Sequence, residues 1–249
     1  MPVMTVILKA IDVRKSVKRQ GSRGEEFEIL HGIDLEASAG EFVSFVGPSG
    51  SGKTTLLRCL SGLSRPTYGE VQINGQLLSK LSERKMAILR RNTISYIFQS
   101  YNLLPALPAY DNIVLPLQLA HQKVTREAVQ QLMNDLQFKA DLSQLPAALS
   151  GGEQQKVAIA RALMMHAKVI FADEPTGALD SISRQVIFAR LRALADSGVC
   201  VVMVTHDIEQ AAHTDRAVIL HDGRIDAVFN HPTEQALFAA MRESEKVAP

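Results

Sequence analysis

The sequence predicts an α/β fold: a mainly parallel sheet covered on both faces, an antiparallel β subdomain, and a helical insertion. Three observations carry this. Near-continuous apolar runs such as Glu41–Val46, Lys168–Ala172 and Gly198–Thr205 alternate with segments of helical spacing, the order that buries parallel strands on both faces. A Gly-rich loop joins one of these runs to a helix. Between Ser100 and about Gln155 the texture changes: prolines at 105, 108, 116 and 146 break the segment, and Val129, Leu132, Met133 and Leu136 have helical apolar spacing.

Taken in order, Thr5–Val13 and Phe27–Leu35 read as strands, and the charged stretch Lys15–Glu26 between them as a solvated hairpin. Glu41–Val46 is a buried strand and Thr54–Leu60 a helix. Glu70–Ile73 is a short strand turning at Asn74-Gly75, a pair suited to positive φ. Glu83–Arg91 has a helical pattern and Thr93–Phe98 a β-rich one. Beyond the insertion, Lys168–Ala172 is a strand, Ser181–Ala195 a helix, Gly198–Thr205 a strand and Asp207–Ala212 a helix. Val218–Leu220 and Ile225–Phe229 form a closing hairpin about Asp222-Gly223, and Thr233–Ser244 is a terminal helix. A single domain is expected, with its core in residues 1–99 and 156–249 and its helical subdomain at about 100–155.

The chain has 249 residues, 46% of them hydrophobic, enough for one sizeable core. Its 27 Lys+Arg balance 26 Asp+Glu, so no basic footprint points to nucleic acid. Cys59 and Cys200 lie in apolar segments without metal-type spacing and read as buried free thiols of a reducing compartment. The N-terminus lacks signal-peptide patterning, and no apolar run approaches the roughly 20 residues that span a bilayer. A soluble, cytoplasmic protein is expected.

Gly47-Pro48-Ser49-Gly50-Ser51-Gly52-Lys53-Thr54 matches G-x-x-x-x-G-K-[ST] between a strand and a helix, as in a P-loop NTPase core. Curled backbone N–H groups and the helix N-terminus, where Thr55 follows, suit phosphate. Lys53 can reach the outer phosphates and the Thr54 hydroxyl can ligate Mg²⁺. This pattern predicts nucleotide binding. Val169-Ile170-Phe171-Ala172-Asp173-Glu174 is an apolar strand ending in two carboxylates at the sheet edge where ligands bind. Asp173 can hold Mg²⁺ through water, and Glu174 can polarise an attacking water. Leu149-Ser150-Gly151-Gly152-Glu153-Gln154 opens a helix with a capping box between Ser150 and Glu153. Its two glycines cost on the order of 1 kcal/mol each in helix propensity, which makes sense if the backbone must approach something closely. Asp180 either caps the helix from Ser181 or sits at an interface.

With these motifs in order, the chain resembles the ATP-binding-cassette ATPases along essentially its whole length. The resemblance assigns Gly47–Thr54 as phosphate loop, Gln99 as glutamine loop, Leu149–Gln154 as signature, Asp173/Glu174 as acidic strand end and His206 as histidine switch. It implies ATP and Mg²⁺ as cofactors. Gln99 would touch Mg²⁺ and the attacking water and report to a membrane partner, while His206 would contact the γ-phosphate. It further implies head-to-tail pairing, as homodimer or with a paralogous cassette. Ser150, Gly151, Gly152 and Glu153 would then cap the ATP of the other copy, and Asp180 would lie in the loop crossing the interface. The other six histidines read as ordinary surface or core residues. Segments such as Gly40–Ser44, Phe98–Pro105, Phe171–Asp180 and Met203–Asp207 resemble the macrolide-exporter, lipoprotein-releasing and bacitracin-resistance group. Such cassettes sit peripherally on the cytoplasmic face of the inner membrane and drive an integral membrane subunit. The chain's end soon after the closing hairpin predicts no regulatory C-terminal domain. The alternatives are an ATPase switch for a periplasmic cell-wall hydrolase, the ATPase of a small-solute importer and a soluble relative in translation or DNA repair. The docking seat is expected near Gln99–Tyr110, with Leu103, Leu104 and Leu107 as exposed candidates.

The sequence departs from the family at two places. Val17 stands where cassettes carry an adenine-stacking aromatic, with Phe27, the nearest aromatic, across a charged turn. Lys156 stands where many carry Arg, keeping the charge and losing the planar fork.

Overall fold

In the computed structural model, which describes residues 5–18 and 26–246, two long strands open the chain, β1 (Val6–Lys18) and β2 (Glu26–Ser38). They are followed by β3 (Phe42–Val46), α1 (Lys53–Leu60), β4 (Tyr68–Ile73), β5 (Gln76–Leu77), α2 (Glu83–Thr93) and β6 (Ile94–Ile97). The insertion holds α3 (Ala109–Leu119) and α4 (Arg126–Asp135), and α5 (Gly151–Met164) leads out of it. Then come β7 (Val169–Asp173), α6 (Ser181–Asp196), β8 (Cys200–Val204), α7 (Ile208–Ala212), β9 (Arg216–His221), β10 (Arg224–Asn230) and α8 (Glu234–Lys246).

Among the described residues the strands form two sheets. One is antiparallel, in the order β2-β1-β4-β5; the other runs β10-β9-β3-β8-β7-β6, parallel throughout except for β10 on β9. Strands β3, β7 and β8 are buried at every position, as central strands covered on both faces must be. The predicted turns at Asn74-Gly75 and Asp222-Gly223 both form with two consecutive positive φ values, 50° and 74° in the first, 41° and 70° in the second. Both cysteines are buried and free, and burial pushes the Cys200 thiol up to about 12.

Two local expectations change. Lys15 and Ser16 belong to the ladder rather than a turn, because β1 continues to Lys18. Neighbouring loop groups anchor it there: Lys15 Nζ donates to the Arg65 carbonyl at 2.7 Å and the Ser16 N–H to Thr67 Oγ1 at 2.9 Å. The rest of that predicted hairpin, 19–25, lies outside the described residues. Pro116 does not break the chain but sits inside α3. It lies in the last turn, where one backbone bond is lost, and the burial of Ile113 and Val114 in the cluster shared with α5 outweighs that loss.

One apolar cluster runs from Phe42, Ile170 and Met203 of the central sheet through Val157 and Ile159 of α5 to Ile113, Val129 and Met133 of the insertion. Helix α5 is therefore shared across the boundary drawn at 155. A second cluster, with Phe45, Leu56 and Phe171, joins the two sheets through α1. The carboxyl ends of β3, β6, β7 and β8 thereby converge on one edge, in front of the N-terminus of α1.

Candidate functional site

The loop from Gly47 to Gly52 wraps the N-terminus of α1, capped by Gly52 in a left-handed conformation (φ 97°) with no side chain on the cap. The helix opens with bare N–H groups, which suits an anion. Gly47 has φ 149°, and a Cβ there would lie 2.1 Å from the Leu220 carbonyl oxygen, so only glycine lets the loop seat on β9. Lys53 folds back beneath the loop, donating to the Gly47 and Pro48 carbonyls at 3.0 and 2.7 Å and lying 3.4 Å from Ser51 Oγ. Burial pulls its ammonium below the ordinary lysine value, against the opposing pull of Glu174 and Asp173. An open cleft of about 490 Å³ lies above, lined by Ser49, Gly50, Gly52, Lys53, Thr54 and Thr55. Gly47, Pro48 and the buried Ser51 form the foot of the loop rather than the cleft wall.

The strand-end carboxylates meet this loop from the far side. Thr54 Oγ1 donates to Asp173 Oδ1 at 2.9 Å, and Tyr96 OH to Asp173 Oδ2 at 3.3 Å. Burial pushes the Asp173 carboxyl above its ordinary value, while those two hydrogen bonds pull it back. Glu174 stands in a left-handed conformation (φ 49°), unusual for a residue with a side chain. Its two oxygens are divided: Gln99 Nε2 donates to Oε2 at 2.8 Å, and His206 Nε2 contacts Oε1 at 2.8 Å. Gln99, Glu174 and His206 all line the phosphate-loop cleft. Three residues from the ends of three different strands are thus drawn onto one point.

The oxygens of Thr54, Asp173 and Gln99 are hard donors of the kind Mg²⁺ takes alongside phosphate oxygens. No cluster of three His, Cys, Asp or Glu suited to a metal occurs among the described residues. A cation held here would therefore share its shell with a phosphate ligand and water.

The signature residues do not reach this cleft. Ser150 caps α5 in a complete capping box: the Glu153 N–H donates to Ser150 Oγ, while Ser150 N–H and Oγ donate to Glu153 Oε2 at 2.8 and 2.7 Å. Those bonds hold the Glu153 carboxyl below its ordinary value. A Cβ on Gly152 would meet only ordinary contacts, at 3.6 Å, and one on Gly151 only the Tyr101 hydroxyl, at 3.2 Å. Nothing in the described chain itself demands both glycines. Asp180 caps α6 through Ser183, accepting its N–H at 2.8 Å and its hydroxyl at 2.9 Å, which answers one of its two readings. Lys156 is buried and donates to the Gln137 carbonyl at 3.0 Å, a single bond that a point charge makes as well as a fork.

Several contributors carry no sequence motif. Tyr96 holds Asp173. Arg161 donates to the Tyr101 and Asn102 carbonyls, both at 2.8 Å, pinning two consecutive left-handed residues just after Gln99. Gln155 Nε2 donates to the Pro175 carbonyl at 2.8 Å, and Thr176 Oγ1 to Gln210 Oε1 at 3.2 Å, so the loop after Glu174 is tied to α5 and α7. Beside it, a groove of about 290 Å³ between core and insertion is lined by Tyr96, Phe98, Leu104, Asn112, Pro116 and Arg161. Of the three leucines expected there, Leu104 is exposed, whereas Leu103 packs against the core and Leu107 is half-buried.

Comparison with known proteins bears directly on this arrangement. The family described as ABC transporter matches residues 30–177. The chain is 42% identical to the macrolide export ATP-binding/permease protein MacB of Nitrosomonas europaea over 94% of its own length, but spans only 37% of that protein. It is 40% identical to the uncharacterized ABC transporter ATP-binding protein YknY of Bacillus subtilis, covering 81% of this chain and 88% of that one. Its fold matches the dimeric, post-hydrolysis structure of the ATP-binding cassette MJ0796 bound to ADP and Pi, with a TM-score of 0.84 and 35% identity over 90% of this chain and 99% of that one. No helix among the described residues is long and apolar enough to cross a membrane. The chain belongs to the ABC transporter family and is an ATPase cassette of it.

Proposed function

We propose that this chain binds Mg²⁺·ATP on the Gly47–Thr54 loop and hydrolyses it inside a head-to-tail pair of cassettes, so driving a membrane subunit of the MacB type. The observation that carries the reading is the placing of Glu174. Its carboxylate stands at the cleft between Gln99 and His206, beside the Thr54–Asp173 pair.

From that position each group has one task. Lys53 exchanges the Gly47 and Pro48 carbonyls for the outer phosphates, a better match for a cation already partly desolvated. Thr54, Asp173 and Gln99 are the residues that would hold Mg²⁺, whose chemistry is to neutralise charge developing on the phosphate oxygens. Glu174 orients and polarises the water, and His206 donates toward the γ-phosphate once it leaves Oε1 of Glu174. The open N-terminus of α5, with Ser150 as cap and no Cβ at 151 and 152, presents N–H groups to a phosphate outside this chain. The second copy supplies that phosphate. The membrane subunit seats in the groove beside Gln99, so movement of that residue on ATP binding is felt at the seat. The exporter assignment rests on the likeness to MacB proteins, and on the similarity of the motif segments to the macrolide-exporter, lipoprotein-releasing and bacitracin-resistance group.

The test is Glu174→Gln. Hydrolysis should fall by roughly 10²–10⁴-fold, the usual worth of a general base, while ATP binding persists and the protein dimerises on ATP in size-exclusion chromatography. Hydrolysis near the wild-type rate would remove Glu174 from that role.

A further inference from the structure

We propose that Phe27, on β2, is the platform on which the nucleobase stacks, so that the base site is carried by the strand opposite the position where an aromatic was expected. The inference rests on the nucleotide-binding reading above and adds the base-contacting residue to it.

Three observations place Phe27 there. It lines the same cleft as Lys53, Thr54 and Thr55, together with Ile29 two residues further along its strand. Period-two alternation puts Phe27 and Ile29 on one face of β2, and Ile29 is packed against the core while Phe27 is 63% exposed. A large aromatic ring left that open beside a phosphate site has a flat face free for another ring. Lastly, Val17 and Phe27 are direct partners in the β1–β2 ladder. Directly opposed residues carry their side chains on one face with Cβ atoms about 4.5–5.5 Å apart, so a ring on residue 27 covers the patch that a ring on residue 17 would cover. The two are ten residues apart in sequence and adjacent in the ladder.

The distance from this platform to the phosphate loop is fixed by the closing hairpin. The Gly223 N–H donates to the Ser51 carbonyl at 3.0 Å, and the Gly223 carbonyl accepts from the His31 N–H at 2.9 Å. A Cβ on Gly223 would lie 2.0 Å from the Ile29 carbonyl oxygen, so strand, turn and loop meet at backbone contact. Base and triphosphate are thereby received on parts that are already mutually positioned, which lowers the ordering cost of binding.

A phenyl ring carries no hydrogen-bonding group and reads only a π-face, which every base has. The contribution of Phe27 should therefore be nearly the same for ATP and GTP and absent for inorganic tripolyphosphate. Affinities of the full chain for Mg²⁺·ATP, Mg²⁺·GTP and Mg²⁺·tripolyphosphate, measured by isothermal titration calorimetry, test this. Phe27→Ala should weaken ATP and GTP each by about tenfold, within the range of a lost base–aromatic stack, and leave tripolyphosphate unchanged. Phe27→Tyr should bind as wild type, and Phe27→Ala/Val17→Tyr should recover most of the loss, because the second ring occupies the same patch. Unchanged ATP affinity in Phe27→Ala would overturn the proposal, as would an equal loss for ATP and tripolyphosphate, which would mean a displaced loop. A wild-type chain that binds tripolyphosphate but no nucleotide would overturn it too. Failure of the underlying reading looks different: neither ATP nor tripolyphosphate would bind, and Lys53→Ala would change nothing.

Discussion

Two glycines of the phosphate loop do different jobs. Gly47 meets the protein itself: a Cβ at φ 149° would stand 2.1 Å from the Leu220 carbonyl oxygen, an atom of the backbone that cannot swing away. Gly50 meets nothing within 4 Å, and its φ of 83° is the only demand on it. Gly47→Ala should therefore force β9 and the loop apart, costing about 2–4 kcal/mol and lowering Tm by roughly 5–15 °C. Gly50→Ala carries only the left-handed backbone strain of about 1–2 kcal/mol, yet puts a methyl group on the cleft wall. Thermal unfolding without nucleotide should thus rank Gly47→Ala well below Gly50→Ala. Equal Tm values would mean that the loop does not rest on β9 at Leu220.

Helix α5 shows what local signals can and cannot specify. Its start was legible because Ser150 and Glu153 cap one another across three residues. The turns at Asn74-Gly75 and Asp222-Gly223, and the strand–loop–helix about Lys53, were legible for the same reason: their determinants are neighbours in the chain. The contacts that complete the site are not. Arg161 reaches back 60 residues to hold Tyr101, Tyr96 reaches 77 to Asp173, and the pairing of Val17 with Phe27 depends on a ladder register that no single residue announces. Pro116 stays inside α3 because Ile113 and Val114 pack in the cluster shared with α5, a contact that no local signal announces. The signature glycines remain the part of α5 with no use inside the described chain. A side chain on Gly151 meets only the end of Tyr101, which can turn aside. Gly151→Tyr should thus fold and bind Mg²⁺·ATP as a monomer within about twofold of wild type, yet lose hydrolysis, because the bulk blocks the approach of a second copy. Calorimetry and a phosphate-release assay check the two halves. Loss of ATP binding by the monomer would place this helix in its own chain's site.

At the scale of the whole molecule, the cleft gathers residues from both sheets. Phe27 and Ile29 come from the antiparallel sheet, Thr54 and Thr55 from α1 between the sheets, and Gln99, Glu174 and His206 from beyond the ends of β6, β7 and β8. A nucleotide held by all of these ties the two sheets together, and it does so only in the folded state. By linkage, a ligand at a hundred times its Kd then stabilises the fold by about 2.7 kcal/mol. For a chain of this size, roughly 2–4 °C per kcal/mol makes that a rise in Tm of about 5–11 °C. Thermal unfolding with Mg²⁺·ATP should show this rise in the wild type, and Lys53→Ala should abolish it. The Glu174→Gln protein, which keeps its ATP, should show a larger rise that grows with protein concentration, because dissociation of a pair must precede unfolding. Net charge is only +1, so two copies meet with no long-range repulsion to mask that dependence. A rise in Glu174→Gln that is the same at 1 and 50 times a given protein concentration would leave nucleotide binding intact and remove the ATP-locked pair from the mechanism.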